Sequence, residues 1–267
     1  MLKLTSIQAP NQDFIIAGMA DYLGKRLAMD TKFIQHPTWQ TREQLLVQGQ
    51  IQIGWVCGLP YVRHTAHQPA PFELLVAPVM QAPRYQLRPI YFSDVIVQRT
   101  SKFERFADLR GASWAFNEPQ SHSGYNLTRY HLSTIGETGA FFRSVVAAGS
   151  HQAALELVRQ RHIEASAIDS TVLELELMRR PEIGQDIRIV ATLGPSPIPP
   201  LVITRQVPQD LREQIQTFLL EMHTEQAGQA ILAAGQIAHF VRVVDQDYDP
   251  IRLMARQASR ISFEPTL

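Results

Sequence analysis

The sequence predicts an α/β protein built from two doubly wound lobes. Short apolar strands alternate with amphipathic helices, a pattern that favours parallel sheets covered by helices on both faces. The alternation runs through two successive cycles and the chain then becomes helical again, as expected if a C-terminal segment completes a discontinuous first lobe. We therefore predict lobe 1 from residues 1–92 and 198–267 and lobe 2 from residues 93–197, joined by two hinge strands with a ligand cleft between them.

The first cycle and the C-terminal segment are predicted from local side-chain patterns. Residues 2–7 alternate apolar and polar side chains as a strand does, whereas residues 11–28 carry an apolar stripe at helical spacing. The remaining strands are predicted at residues 31–36, 51–56, 74–79, 90–98 and 201–204, and the remaining helices at residues 42–48, 210–223, 226–233 and 248–257.

The second cycle repeats the same order of elements. Its strands are predicted at residues 113–116, 144–148, 165–168 and 187–191, and its helical segments at residues 105–109, 123–134, 152–160 and 171–179. Two stretches would cross between the lobes, Tyr91–Asp94 and Leu193–Pro197.

Composition excludes several classes of protein. The 25 basic and 25 acidic residues balance without any basic run, which argues against a nucleic-acid partner because phosphate backbones require clustered Lys and Arg. No apolar stretch approaches about 18 residues, the length that a transmembrane helix needs. The single Cys57 excludes an internal disulfide, and the first seven residues are too short and too alternating for a secretory leader. Either the protein is not exported or its leader is missing from this chain, so its location stays open.

The most informative motif is the stretch Asn117–Tyr125, between an apolar strand and an amphipathic helix. The first N–H groups of a helix lack partners within it and carry partial positive charge, so the N-terminus of a helix attracts anions. Ser121 and Ser123 add hydroxyl donors, and Gly124 permits close approach to the backbone. Taken alone, the motif is more simply explained as an ordinary Ser N-cap. However, Gly149–His151 opens the next helix in the same way.

These motifs lie where ligands bind in open α/β sheets. Such ligands sit beyond the carboxyl ends of the strands. Four loops have that position in the predicted order of elements: Gly58–Tyr61, Asn117–Tyr125, Gly149–His151 and Asp169–Ser170. We therefore expect the four loops to line one site.

The chain resembles the phosphonate/phosphite/phosphate-binding proteins, the solute receptors of ABC importers for phosphorus compounds. The Ser-x-Ser-Gly-Tyr motif with a downstream Gly-Ser-His is the most specific point of similarity. The other matching segments, in order between Gln8 and Arg205, are Gln52–Tyr61, Tyr91–Arg99, Phe106–Gly111, Ala167–Ser170 and Ile198–Leu201. The resemblance implies a type II periplasmic-binding-protein fold that closes on its ligand by hinge motion.

The resemblance also implies roles for individual residues. Ser121, His122 and Ser123 would match the loop that binds the phosphonate oxygens, and His151 the histidine that donates to the same anion. Either Tyr61 or Tyr91 would supply an aromatic hydroxyl, and Asp169 would be the acid near the variable substituent on phosphorus. The resemblance further implies an ABC permease as partner, with neither a cofactor nor a metal.

Two departures from the family pattern bear on the ligand. His122 stands where a small hydroxyl residue is commoner, and residues 194–200 contain no carboxylate to pair with an ammonium group on the ligand. A small or uncharged substituent on phosphorus is therefore favoured over an amino group.

Each candidate also has a simpler interpretation. His64 and His67 could bind a metal, but without a carboxylate or cysteine beside them a surface loop is favoured. Cys57 could be a nucleophile but is more often a small buried hydrophobe. The simpler interpretation of Asp169 is that it only caps the following helix. His122, Ser123 and Asp169 together invite a hydrolase hypothesis, although no Gly-x-Ser-x-Gly elbow is present.

Three functions remain open from the sequence. The first is a non-catalytic receptor for a phosphorus oxyanion. The second is an enzyme on the same fold, of the dehydratase or cyclase type found in the alternative menaquinone route, and the third is a metabolite-sensing module. Fold alone does not decide among them, because one fold carries many functions.

Overall fold

The computed structural model describes residues 1–36, 38–66 and 68–263 and contains two compact units. Unit 1 comprises Met1–Ile90 and Pro197–Asp249. Unit 2 comprises Tyr91–Ser196 and the C-terminal segment from Pro250 onward. Within the described ranges no helix is long and apolar enough to span a bilayer.

The elements follow the predicted alternation. The strands are β1 Leu2–Ser6, β2 Thr31–Phe33, β3 Ile53–Trp55, β4 Phe72–Met80, β5 Ile90–Gln98, β6 Ser113–Phe116, β7 Ser144–Ala147, β8 Ala165–Asp169, β9 Ile187–Pro197, β10 Leu201–Thr204 and β11 Ile237–Val241. The α-helices are α1 Asp13–Leu27, α2 Trp39–Val47, α3 Gly58–His64, α4 Leu127–Thr134, α5 His151–Arg159, α6 Ser170–Arg179, α7 Ile183–Asp186, α8 Gln209–Glu221, α9 Gln226–Ala234 and α10 Asp249–Ala258. A π-helical turn, His122–Asn126, precedes α4.

Unit 1 has a six-stranded sheet in the order β11-β4-β10-β3-β1-β2. β1 runs parallel to β2 and β3, whereas β10 and β11 pair antiparallel with β4. The apolar stripe of α1 buries Ile15, Met19 and Leu23 completely or almost completely, as the helical spacing predicts. The helix ends at Ala28, whose left-handed conformation (φ 50°) lets its N–H bond back to the last turn.

Unit 2 has a five-stranded sheet in the order β7-β6-β8-β5-β9. β6 runs parallel to both β7 and β8, while β5 pairs antiparallel with β8. The carboxyl ends of β7, β6 and β8 therefore meet at one edge of the sheet. An aromatic core packs on this sheet, with Trp114 stacked on Phe142 at 4.5 Å between ring centroids and Phe106 stacked on Phe141 at 5.4 Å.

The structure differs from the sequence prediction at several elements. Both sheets are mixed, not wholly parallel, because β5, β10 and β11 each have an antiparallel neighbour. The predicted loop Gly58–Tyr61 is the first turn of α3, and β9 extends to Pro197. The sequence prediction missed β11, whose five residues follow α9 closely and depend on pairing with β4.

The C-terminal segment also differs from its expected place. We predicted residues 198–267 as one block in lobe 1, whereas the contacts place the segment from Pro250 onward in unit 2. Ile261 and Phe263 are each 5% exposed and belong to the aromatic core of unit 2, which explains the difference. The other unit boundaries, at Ile90/Tyr91 and Ser196/Pro197, lie within two residues of the predicted ones.

Candidate anion-binding site

The Ser-rich loop, which we define as Asn117–Tyr125, follows the buried strand β6 in unit 2 and runs into the π-helical turn. Ser121 is the N-cap residue of this turn, and its hydroxyl oxygen accepts the Gly124 N–H at 3.0 Å. A Cβ atom on Gly124 would come within 2.1 Å of Asn117 Oδ1 and 3.0 Å of the His151 ring. Glycine at this position therefore allows the loop, Asn117 and His151 to approach one another.

Ser123 lies at the centre of a buried polar cluster that also contains His151 and Asp169. Its hydroxyl oxygen is 3.2 Å from His151 Nε2 and 3.4 Å from Asp169 Oδ2, and the residue is 2% exposed. Its carbonyl oxygen accepts a bond from the Ser93 hydroxyl at 2.8 Å, which fixes the turn to β5. We call Ser123, His151 and Asp169 the Ser–His–Asp cluster.

Three adjacent parallel strands bring the Ser–His–Asp cluster together. Ser123 follows β6, His151 follows β7, and Asp169 is the last residue of β8. Since β7, β6 and β8 are neighbours in the sheet and run in the same direction, their carboxyl ends place the three side chains at one edge. Ligands bind at such edges in α/β folds.

His151 is the first residue of α5 and is neutral. Ser150 caps this helix by accepting the Ala153 N–H at 3.0 Å. Burial lowers the pKa of His151 to about 3, because the charged imidazolium is disfavoured away from water. Its Nδ1 atom is buried and has no hydrogen-bond partner within the described residues.

Asp169 combines a capping role with a position in the cluster. Its Oδ1 atom accepts the Thr171 N–H at 2.9 Å and the Thr171 hydroxyl at 2.7 Å, so Asp169 caps α6 as the simpler interpretation expected. Its Oδ2 atom faces the Ser123 hydroxyl. Burial raises the pKa of Asp169 to about 6, outweighing the hydrogen bonds from Thr171 that favour the ionised form.

Both ring nitrogens of His122 have hydrogen-bond partners within unit 2. His122 is fully buried, its Nδ1 lies 3.1 Å from the Asn126 amide nitrogen, and its Nε2 lies 2.7 Å from the Ser196 hydroxyl. The amide nitrogen must donate, so Nδ1 accepts and Nε2 carries the proton given to Ser196. Burial lowers the pKa of His122 to about 3. The geometry thus favours a role in fixing the loop to β9 over the expected contact from the ring to the anion.

The two candidate tyrosines lie in different units. Tyr91, at the start of β5, is fully buried in unit 2, with its ring centroid 6.4 Å from that of His122. Tyr61 lies on α3 in unit 1, where its hydroxyl donates to Asp245 Oδ1 at 2.8 Å and its ring contacts Tyr248. Tyr91 is therefore the tyrosine that the structure places beside the Ser-rich loop.

Sequence reasoning missed the residues that hold the site in place. Ser93, Asn126 and Ser196 each bond a residue of the Ser-rich loop, and Asn117 occupies the space beside Gly124. Asn117 belongs to the motif singled out above, and Ser93 and Ser196 belong to the predicted crossing segments, whereas Asn126 carried no signal in the sequence.

The alternative sites receive little support. His64 is bonded to Glu43 at 3.0 Å, while His67 lies outside the described residues. Among the residues that are described, no group of three or more His, Cys, Asp or Glu side chains could hold a metal ion. Cys57 occupies the N-cap position of α3 and is partly exposed.

In the hydrolase hypothesis an acid should orient the histidine. Here Asp169 faces Ser123 directly instead.

Comparison with known proteins assigns the family. The family model described as "ABC transporter, phosphonate, periplasmic substrate-binding protein" matches residues 11–248. The chain belongs to this family. It is thus a member of the solute receptors that serve ABC importers of phosphonates.

Solved structures show the same fold at low sequence identity. PhnD1 from Prochlorococcus marinus, in complex with methylphosphonate, is 17% identical with a TM-score of 0.85, and the match covers 97% of this chain and 98% of that one. A binding protein component of an ABC phosphonate transporter from Pseudomonas aeruginosa is 16% identical with a TM-score of 0.84, covering 97% and 86% of the two chains. The fold is therefore that of the type II periplasmic binding proteins.

Proposed function

We propose that this protein is a non-catalytic receptor that captures a phosphorus oxyanion at the Ser–His–Asp cluster, with Ser121 and Tyr91 beside it. The observation that carries the proposal is the convergence of the Ser-rich loop and His151, at the ends of β6 and β7, on one buried edge of the sheet. Family membership identifies phosphonates as the ligand class. Phosphonate, phosphite and phosphate share the tetrahedral oxyanion that this edge would bind.

The donor set suits a receptor that must release its ligand. A buried anion needs several hydrogen bonds, because an unpaired buried charge is very unfavourable. Ser121, Ser123 and His151 are neutral donors, and the N-terminal ends of two helical segments add partial positive charge. Each helix end contributes about 0.3–1 kcal/mol, or roughly 2 kcal/mol when partly buried. Together these neutral donors and helix ends would stabilise the bound anion.

Family membership supports our proposals for the partner and the location, and the sequence supports a proposal for the substituent on phosphorus. We infer that a small or uncharged substituent on phosphorus is accepted, since residues 194–200 contain no carboxylate for an ammonium group. An ABC permease would receive the ligand, and the protein would act outside the cytoplasmic membrane, as the family description indicates. The enzyme hypothesis is not favoured, because the family consists of transport receptors and Asp169 does not orient His151.

A thermal-shift panel tests this function. Methylphosphonate, phosphite, phosphate and 2-aminoethylphosphonate are compared with sulfate. A ligand at 100 times its dissociation constant stabilises the fold by about 2.7 kcal/mol, which raises the melting temperature by roughly 5–10 °C in a chain of this size. We expect such a shift with at least one phosphorus oxyanion and a smaller one with 2-aminoethylphosphonate than with methylphosphonate. A shift with sulfate or a carboxylate but with none of the phosphorus compounds would contradict the assignment.

A further inference from the structure

Unit 1 contains a second polar pocket, at the carboxyl ends of β1 and β2. These strands are parallel neighbours in the sheet, and each leads into a helix, β1 into α1 and β2 into α2. The pocket has a volume of about 290 Å³ and is lined by Pro10, Asp13, Gln35, His36 and Arg42. This volume is near the lower end of the range for ligand pockets, roughly 300–1,000 Å³, so the pocket suits a small molecule. All five residues belong to unit 1, whereas the Ser–His–Asp cluster belongs to unit 2.

Asp13 on α1 and Arg42 on α2 form a buried ion pair that lines this pocket. Both side chains are 7% exposed, and Arg42 Nη1 lies 3.4 Å from Asp13 Oδ2. This distance is longer than the 2.7–2.9 Å or so that is usual for a charge-assisted hydrogen bond. Gln35 donates to the same carboxylate oxygen at 3.2 Å. The donors that reach Asp13 from these two residues are thus directed to one of its two oxygens.

Each member of the ion pair keeps one polar atom without a partner. Asp13 Oδ1 and Arg42 Nε are both buried and have no hydrogen-bond partner within the described residues. The carboxylate oxygen can only accept a hydrogen bond, and the Nε–H group can only donate one. A buried polar group without a partner is unfavourable, so a ligand that supplies both partners would be bound favourably. The lining of the pocket therefore asks for one donor and one acceptor on the same small molecule.

The charges of the pair select against an ionised ligand. An anion that accepted from Arg42 would be repelled by the Asp13 carboxylate, and a cation that donated to Asp13 would be repelled by the Arg42 guanidinium. A neutral group with an N–H beside a carbonyl oxygen serves both residues without either repulsion. An amide has this arrangement.

We propose that this pocket is a binding site for a small neutral amide, whose N–H group donates to Asp13 Oδ1 and whose carbonyl oxygen accepts from Arg42 Nε. The inference does not rest on the proposed function, because no residue of the Ser–His–Asp cluster takes part in it. The environment of Asp13 agrees with this assignment. Burial raises the pKa of Asp13, against the opposing effects of Arg42, Ser6 and Gln35, and a further donor from the ligand would stabilise the carboxylate.

Three probes of nearly the same shape, benzamide, benzoate and benzamidinium, test the chemistry of the site. Benzamide carries N–H donors and a carbonyl acceptor together, whereas benzoate offers acceptors with a negative charge and benzamidinium offers donors with a positive charge. Each probe is titrated into the isotope-labelled full chain while the NMR signal of the Arg42 Nε–H group is followed. We expect a saturable shift of this signal with benzamide, and binding that is roughly tenfold or more weaker with both charged probes.

Two substitutions locate the bound amide. Arg42→Lys keeps a positive charge beside Asp13 but removes the Nε–H group, so benzamide should bind roughly tenfold more weakly. Arg212→Lys is the matched control. Arg212 pairs with Glu73 at 2.8 Å and also has a buried Nε without a partner among the described residues, but it does not line the pocket. Its substitution should leave the affinity for benzamide unchanged.

The comparison of probes keeps the test decisive if Arg42→Lys does not fold, because the Arg42 signal can be assigned in the wild type from its backbone. The inference is overturned if benzamide causes no saturable shift at Arg42, or if either charged probe binds as tightly as benzamide. Unchanged affinity for benzamide in a folded Arg42→Lys protein would overturn it as well.

Discussion

Acidification should destabilise this protein through its two buried histidines. Burial holds the pKa of His122 and His151 near 3 in the folded protein, against 6.5 in the unfolded chain. Their contribution to stability is present above pH 6.5 and is lost as the pH falls, because only the unfolded chain takes up the protons. Between about pH 8 and pH 5, each histidine should lower the free energy of unfolding by about 2 kcal/mol.

Asp169 acts in the opposite direction over the same range. Burial raises its pKa from 3.8 to about 6, so the ionised carboxylate lowers the free energy of unfolding at neutral pH. Protonation on acidification restores that free energy. Between pH 8 and 5 the relief is about 1.5 kcal/mol. The three groups together should therefore lower the free energy of unfolding by about 2.5 kcal/mol on acidification.

Urea unfolding at the two pH values tests this balance. His151→Gln removes one titrating group. The free energy of unfolding that is lost between pH 8 and pH 5 should then be smaller by about 2 kcal/mol. His162→Gln, at an exposed histidine in the same unit, is the matched control and should leave the loss unchanged. If His151→Gln and wild type lose the same stability between pH 8 and 5, the assignment of His151 as a buried neutral group is wrong.

Two further predictions concern glycines in unit 2. Gly124→Ala should destabilise the protein by about 1–3 kcal/mol, because the new Cβ would lie 2.1 Å from Asn117 Oδ1, and chemical denaturation measures the loss. Gly139→Ala should lower the melting temperature, since its Cβ would lie 1.7 Å from the Ser262 carbonyl oxygen and would displace the C-terminal segment. Gly184→Ala is the control, because the nearest atom would lie at 3.7 Å. Wild-type stability in both clashing variants would contradict the packing described above.

The periodicity of the sequence was sufficient to predict most elements but not the pairing of every strand. β6 and β10 were predicted at their observed residues because short apolar runs have clear limits. β11 was missed because its stability depends on β4, more than 150 residues earlier, and local pattern does not show such pairing. The C-terminal segment was misassigned for the same reason. The local sequence around Ile261 and Phe263 does not show which core these residues join.

The candidate site was predictable where residues follow strand ends. Ser123, His151 and Asp169 meet because three parallel strands end at one edge, and the order of elements already implied this. The bonding of His122 was not predictable, because Ser196 is 74 residues away and becomes its partner only in the folded unit. In the folded unit these bonds tie the Ser-rich loop to β9, and local sequence carries no sign of that link.

The most direct test of the central claim is a calorimetric titration of methylphosphonate into the wild type and Ser123→Ala. Hydrogen bonds to charged groups contribute about 1.5–3 kcal/mol, so the variant should bind roughly tenfold to a hundredfold more weakly. Ser133→Ala, at a partly exposed serine on α4, should bind like the wild type and serves as the control. One methylphosphonate per chain with this pattern of affinities is the result that we predict. Equal affinity in wild type and Ser123→Ala would place the ligand elsewhere and leave the Ser-rich loop as a helix cap only.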